Sequence, residues 1–340
     1  AGHCSNVQVD IDSDGVVIVE DDGRGIPVDV HKKTKVSGLE TVMTTLHAGG
    51  KFDSKAYQVS GGLHGVGISV VNALSSFLNV DVYRDAKHYE QKFSRGKTTS
   101  DLSGEDVPKE DKKSTGTRVS FKPDSEIFPD LDYDFSILSQ RFKEIAYLNK
   151  GLKISFKSGW GGSDLTQNEI LDDEEEAEDQ QMDLFENQEP RKDQIQEVEY
   201  FFEGGISQFV SDMNSSRIAL HEDPIYIEKE IDGTIVEVAL QYNDGFSESV
   251  YAFANCVNNV DGGTHITGFR AALTRVMNDS GRKYGFLKAN DPNLSGEDVR
   301  EGLAAVIAVK LTEPQFEGQT KRKLGNPEVR AQVEGVLGES

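Results

Sequence analysis

Polar and apolar positions alternate with period two at the start of the chain. Val7, Val9 and Ile11 are separated by polar residues, so residues 6–11 read as a half-buried strand. Asp12-Ser13-Asp14-Gly15 supplies a turn, and residues 16–19 return as a second strand, giving a hairpin. The period then changes to that of a helix. Leu39, Val42, Met43 and Leu46 share one face of residues 37–47, with Ser37 placed to cap the first turn. A second helix is expected over 68–78, then strands over 79–83, 88–93 and 117–121. Leu138, Phe142, Ile145 and Ala146 mark another helix face, and residues 152–156 another strand.

Residues 161–193 break the pattern. Asp172, Asp173, Glu174, Glu175, Glu176, Glu178 and Asp179 crowd together with little apolar content, and such a run repels itself. It reads as a disordered acidic insertion within a hairpin. A helix is expected over 206–213. Beyond His221 a new alternation begins: Ile225 and Ile227, then Ile235, Val236, Val238 and Leu240, and later residues 249–257, all read as antiparallel strands. Phe269, Leu273 and Val276 form the inner face of a further helix. Ser295 with Asp298 resembles a capping box, and residues 303–311 form a strongly apolar strand. The expected division is 1–221 and 222–340, the second part α+β.

At 340 residues the length fits two domains, and 36% hydrophobic content suffices for a sizeable core. No apolar run approaches the roughly 18 residues of a membrane span, so no membrane role is expected. Cys4 and Cys256, the two cysteines, make neither a disulfide framework nor a zinc site and suit the cytoplasm. A net charge of −23 argues against a broad autonomous DNA-binding surface, though not against work on DNA through a partner.

Three stretches carry candidate chemistry. Ser60-Gly61-Gly62-Leu63-His64-Gly65-Val66-Gly67 reads as a phosphate-cradling loop leading into a helix start, where free N–H groups and the dipole favour an anion. A flexible turn before a core helix is the plain alternative. The whole of 48–67 is polar and glycine-rich, with the length of a closing lid. In Asp21-Asp22-Gly23-Arg24-Gly25-Ile26-Pro27 a strand is broken by an acid and two glycines. A carboxylate there can accept from a base's exocyclic amine, and an acidic turn capped by Pro27 is the bland reading. Thr117 offers a hydroxyl at a strand end, and Arg84 ends its strand either at a pocket mouth or in solvent. Finally, Gln319 and Lys321 lie in a basic loop suited to a terminal phosphate or simply exposed. Neither common nucleotide-loop spacing is present.

These residues together resemble one family. The motifs DDGRGIP, HAGGKFD, SGGLHGVG, Thr115-Gly116-Thr117, DGGTH at 261–265 and QTKRKLGN at 319–326 look like the B subunit of bacterial DNA gyrase, over nearly the whole chain except the acidic insertion. The resemblance implies a GHKL (Bergerat) ATPase α/β sandwich with a mixed sheet, followed by a ribosomal-protein-like α+β transducer. It implies that Asp21 accepts the adenine amine beside Thr117. Gly25 lets the base approach, Arg24, Ile26 and Pro27 flank the ring, and Arg84 guards a mouth where aminocoumarin-type inhibitors bind. By the same likeness Tyr57 and the segment Gly62, Leu63, His64, Gly65, Val66 and Gly67 hold the phosphates, Lys51 lies on the lid, and Gln319 and Lys321 reach the γ-phosphate. ATP and Mg²⁺ are the implied cofactors. The Glu that activates water and the Asn that holds the metal belong, by this likeness, to a helix expected upstream of Ala1. The arm that embraces a second B subunit is expected there too, and the C-terminal end looks cut within a helix. The stretch as given is therefore expected to be a poor ATPase. In the full assembly the implied partners are the gyrase A subunit, DNA and a second B subunit. The ATPase subunit of topoisomerase IV and a non-catalytic nucleotide-binding module are the rival readings.

Overall fold

The computed structural model describes residues 2–48, 65–107, 115–161 and 195–339. The elements run β1 (Asn6–Ile11), β2 (Val17–Asp21), α1 (Gly38–Thr44), α2 (Gly67–Ala73), β3 (Ser75–Arg84), β4 (Lys87–Ser94), β5 (Lys97–Thr98), β6 (Ser103–Asp106), β7 (Gly116–Pro123), α3 (Phe135–Leu148), β8 (Lys153–Ser158) and β9 (Gln196–Tyr200). They continue with α4 (Gly205–Met213), β10 (Ile225–Ile231), β11 (Thr234–Tyr242), β12 (Ser249–Ala254), β13 (Val257–Asn258), α5 (Thr264–Lys283), α6 (Gly296–Arg300), β14 (Leu303–Lys310) and α7 (Pro327–Glu339).

The first sheet is mixed. Its order is β5-β4-β3-β7-β2-β1-β8-β9, with β6 paired to β4. β1 runs parallel to β8, and its other neighbour β2 is antiparallel. Register fixes which side chains face the core. Val17, Val19 and Asp21 sit opposite Phe121, Val119 and Thr117, which in turn sit opposite Leu78, Val80 and Val82. These residues share one face, because side chains alternate along a strand. Leu39, Met43, Ile68 and Val71 of α1 and α2 pack with Leu78, Val80 and Val82. Phe135, Leu138 and Phe142 of α3 pack with Val9, Ile11, Val17 and Phe156. Glu20 and Arg118, the intervening pair, belong to the opposite face.

The second sheet has the order β10-β11-β14-β12-β13. Its central strand β14 is covered on both sides, which is why 303–311 reads as a continuous apolar run. Leu303, Ala305, Ile307 and Val309 join Phe269, Leu273, Val329, Val333 and Val336 of α5 and α7. Ala304, Val306 and Ala308 join Tyr147, Leu148, Ile206, Phe209 and Val210 of α3 and α4.

Two expectations about local structure are corrected. The helix expected over 68–78 ends at Ala73, and β3 begins at Ser75. Pairing wins there: Ser75, Phe77 and Leu78 find partners in Pro123, Lys122 and Phe121, and Leu78 is fully buried. β12 was expected to lie in antiparallel hairpins and instead runs parallel to β14, Ser249 opposite Ala304 through Ala254 opposite Val309. The chain between them passes through α5 and α6, a crossover long enough to bring the strand back in the same direction. Alternation alone marks a strand but not its partner. The capping predictions are met: the Ser37 hydroxyl accepts from the Glu40 N–H at 2.9 Å, and Ser295 and Asp298 form a reciprocal capping box. The acidic insertion, from residue 162 on, lies outside the described residues.

Candidate functional site

The end of β2 places an acid where its row demands an apolar residue. Asp21 follows Val17 and Val19 on the core face and pairs with Thr117, which is 7% exposed. Burial pushes the Asp21 carboxyl above the usual carboxylate range, and hydrogen bonds from the Gly23 and Thr117 backbones pull against that rise. The Gly23 N–H donates to Asp21 Oδ1 at 2.8 Å. Its neighbour Asp22 does a different job. That carboxylate accepts the backbone N–H of Ser5 at 2.7 Å and of Asn6 at 2.9 Å. Although desolvation opposes it, hydrogen bonding from Ser5 and Asn6 brings Asp22 down to about 2. Asp22 thus pins the start of β1, and Asp21 is left to face the interior.

The glycines are explained by contact. A Cβ on Gly23 would lie 2.6 Å from Asp21 Oδ1, so a side chain would evict the carboxylate from its turn. Gly25 has φ +72°, and a Cβ there would lie 2.8 Å from the Tyr83 carbonyl. The room that glycine leaves at Gly25 is taken by the backbone of β3, not held open. A Cβ on Gly116 would lie 2.4 Å from the Asp21 carbonyl. Arg84 clasps the same loop: its Nη1 donates to the Gly25 carbonyl at 3.1 Å and lies 3.5 Å from that of Arg24, while its Nε pairs with Asp85 at 3.3 Å. Ile26 packs into the cluster of Leu39, Val80 and Val82, and the Pro27 carbonyl abuts Gly38 at the start of α1. Asp21, Arg24, Gly25, Ile26, Arg84 and Thr117 are therefore drawn from three stretches of chain into one corner of the first sheet.

Gly65, Val66 and Gly67 enter that half from the other direction. Gly65 has φ +58°, and α2 opens at Gly67 with no side chain capping its first turn. Ile68 and Val71 of α2 pack into the same cluster as Ile26 and Val28, so the end of the glycine loop and the loop after β2 rest on one core. Asn72 fixes α2 against α1 by donating to the Met43 carbonyl at 2.9 Å. Lys51, Tyr57, Gly62, Leu63 and His64 lie outside the described residues.

Gln319 and Lys321 sit in the loop between β14 and α7. Gln319 is exposed, and the Lys321 ammonium lies 5.9 Å from the Phe316 ring centroid. What pins this loop is the segment ahead of α5: Asn259, Asp261, Gly262 and Thr264 bond to Lys321, Arg322 and Leu324. The described contacts thus fix the loop to the second sheet's own elements. Among the described residues no group of three His, Cys, Asp or Glu side chains gathers to hold a metal. No helix among them is long and apolar enough to cross a membrane.

The reading of residues missed Asn259, and it took Asp22 only as a strand breaker beside the base, where the structure gives its carboxylate to the Ser5 and Asn6 N–H groups. A signal for the latter existed: parity along β2 sends Asp21 and Asp22 to opposite sides, so one strand-end pair had to divide into two roles.

A mixed sheet with helices on one face and an acid at a strand end beside a glycine-rich helix start defines the GHKL class of ATPase. A family model for the histidine kinase-, DNA gyrase B- and HSP90-like ATPases matches residues 1–127. The DNA gyrase B model matches residues 205–340. The DNA gyrase B protein of Clostridium acetobutylicum is 48% identical over 340 residues, and that of Halalkalibacterium halodurans 46%. Each alignment takes in all of this chain and 48% of the relative, so the chain spans about half the length of these proteins. The 43K ATPase domain of Thermus thermophilus gyrase B, solved with an aminocoumarin, superposes with a TM-score of 0.77 at 34% identity, covering 99% of this chain and 78% of that one. The topoisomerase IV ATP-binding domain of Francisella tularensis, solved with a small-molecule inhibitor, gives a TM-score of 0.72 at 27% identity, covering 99% and 80%. The chain belongs to the DNA gyrase B family.

Proposed function

We propose that this chain is the ATP-binding and ATP-hydrolysing region of a gyrase B protein. In the full protein it drives ATP-dependent DNA supercoiling by closing a gate between two such proteins. One observation carries the reading: a carboxylate, Asp21, replaces an apolar residue on a buried strand row, next to Thr117, and no cation among the described residues pairs with it to explain it as structural. Such an acceptor suits the exocyclic amine of adenine, which can donate to it. Arg24, Gly25, Ile26 and Pro27 line the ring, and Arg84 sits at the rim as the inhibitor-facing residue. The α2 end of the loop, Gly65 to Gly67, takes phosphate oxygens on its uncapped N–H groups, together with Gly62, Leu63, His64, Tyr57 and Lys51. Gln319 and Lys321 contact the terminal phosphate, which is what separates ATP from ADP. The division at 1–221 and 222–340 and the transducer role of the second part belong to the same proposal. So do Mg²⁺ as counter-ion of the nucleotide, the gyrase A subunit and DNA as partners, and the cytoplasm as location.

Calorimetric titration with a non-hydrolysable ATP analogue tests the site. Asp21→Asn should weaken binding about 10- to 100-fold, the range for a hydrogen bond to a charged group. Glu20→Gln, adjacent in sequence but on the opposite face, should leave it unchanged. Equal effects of the two substitutions would refute the pocket. The likeness to a topoisomerase IV domain supports a second reading at the level of the whole protein. Negative supercoiling by the full-length protein with its partner supports gyrase, and decatenation without supercoiling supports topoisomerase IV.

A further inference from the structure

Buried polar atoms without a hydrogen-bond partner concentrate in one short segment. Among the described residues nine such side-chain atoms occur, and four of them, Asn259 Oδ1, Thr264 Oγ1 and both ring nitrogens of His265, lie within 259–265. The same segment carries the loop of Gln319 and Lys321. Asn259, 2% exposed, donates from Nδ2 to the Lys321 carbonyl at 2.7 Å. The Asp261 N–H donates to the Arg322 carbonyl at 3.0 Å, and the Asp261 carboxylate accepts two hydrogen bonds from the Arg322 guanidinium. The Leu324 N–H donates to the Gly262 carbonyl, and the Leu324 carbonyl accepts from Thr264. A Cβ on Gly263 would lie 2.5 Å from the Leu324 carbonyl oxygen, so glycine is what lets these backbones meet. Lys321 itself has φ +55°. That left-handed conformation costs a lysine about 1 kcal/mol and persists only where neighbours hold it.

The anchor is also tied to the helix beneath the first sheet. Arg141 and Glu144 of α3 pair with each other at 2.7 Å. Arg141 Nη2 donates to the Cys256 carbonyl at 2.7 Å, and Asn258 Nδ2 donates to Glu144 Oε1 at 3.3 Å. The turn between β12 and β13 is pinned to the end of β14. Asn255 and Cys256 have φ +48° and +65°, and the Asn255 side chain exchanges two hydrogen bonds with the Leu311 backbone, at 2.6 and 2.8 Å. One polar line therefore runs from α3 through 256–259 to Lys321.

We propose that Asn259 is the positioning residue for Lys321. It fixes the backbone from which the lysine side chain swings between the Phe316 ring and the terminal phosphate of ATP, and the Arg141–Glu144 pair ties that pivot to α3. The proposal rests on the reading of Lys321 as a terminal-phosphate contact. The cation–π hold of Phe316 on this half-buried lysine is modest, so a terminal phosphate wins the ammonium if its backbone is already in place. Without the pivot, the phosphate must also order the loop, and the preference for triphosphate falls.

The test titrates ADP and a non-hydrolysable ATP analogue into the whole chain and reads the ratio of the two affinities. Asn259→Asp keeps the shape of the side chain but turns an acceptor toward the Lys321 carbonyl. The native chain should prefer the triphosphate, and Lys321→Ala should remove most of the preference, leaving what Gln319 supplies. Asn259→Asp should cut it about 5-fold, the value of one net hydrogen bond, with ADP affinity unchanged. Arg141→Met should move it in the same direction. No preference in the native chain, or an unaltered one in Lys321→Ala, overturns the reading of Lys321 and this proposal with it. If Lys321→Ala removes most of the preference and Asn259→Asp retains it, only the positioning role falls. An equal loss of ADP and triphosphate affinity in Asn259→Asp likewise overturns it, since that is a structural effect. Should Asn259→Asp fail to fold, Arg141→Met decides, and an unchanged ratio there overturns the proposal.

Discussion

Mild acid should loosen the second sheet through a single side chain. His265 opens α5 with 0% exposure, and neither ring nitrogen has a hydrogen-bond partner. Desolvation lowers its pKa from 6.5 to about 4, because a buried imidazolium has lost its water without gaining an anion. The sign follows from proton uptake. Below 6.5 the unfolded chain takes a proton that the folded chain refuses until about 4, so protons favour unfolding across that window. The stability is intact above 6.5, falls as pH drops toward 4, and falls no further below it. The full gap is worth about 3 kcal/mol, and about 2 kcal/mol of it is already lost at pH 5. Urea denaturation at pH 7.5, 6 and 5, extrapolated to zero denaturant, measures it for the native chain and for His265→Leu. Leucine roughly conserves volume and removes both orphaned nitrogens, so the variant should be no less stable than the parent at pH 7.5. At pH 5 it should be about 2 kcal/mol more stable than the parent relative to pH 7.5. Carboxylates such as Asp21 titrate alike in both proteins and cancel in this difference. Parallel losses in the two proteins between pH 7.5 and 5 would refute the reasoning.

Three further outcomes are expected. Gly116→Ala should cost at least about 2 kcal/mol in urea denaturation, because its Cβ would meet the Asp21 carbonyl at 2.4 Å and only backbone movement relieves that clash. Ser295→Ala removes one half of the capping box on α6 and should cost about 1 kcal/mol, with no change in nucleotide affinity. Asp22→Ala frees the start of β1 and should speed hydrogen exchange at Ser5 and Asn6. In the native chain the same loosening should appear as pH falls from 3.8 toward about 2, since the folded carboxyl holds its charge longer than the unfolded one.

Much of the architecture was legible because it depends on local period and on caps. Val7, Val9 and Ile11 alternate because one face of β1 is buried, and Ser37 and Ser295 start their helices by chemistry that needs no distant partner. What was not legible depends on partners far away in the chain. Leu74 and Ser75 look helical until β7 is in place, and β12 reads equally well as half of a hairpin until α5 and α6 carry the chain back. The site shows the same split. Asp21 at a strand end was visible, but the use of Gly25 was not, because the Tyr83 carbonyl that fills its missing side chain lies 58 residues on. Asn259 gave no local sign of its contact with Lys321, since its partner is a backbone atom in another loop.

The packing of α3 couples the two sheets mechanically. Its first half, Phe135, Leu138 and Phe142, belongs to the core under β1, β2 and β8. Its last residues, Tyr147 and Leu148, belong to the core under β11, β12 and β14, where Tyr147 stacks on Phe202 and Phe209 with centroids 3.7 and 4.5 Å apart. One helix therefore spans two cores, and between those ends it presents Arg141 and Glu144 to the turn at Cys256 and Asn258. A packed interior transmits displacement because it has no slack to absorb it. A change in tilt of α3 at the β2 end must either shear Tyr147 out of its stack or carry β12 and its turn along with it. The aromatic stack is the costlier to break, each pair adding about 0.5–1.5 kcal/mol beyond its buried area. The turn would move as a unit instead, and the segment that follows it, from Asn259 to Thr264, is what holds the loop of Lys321.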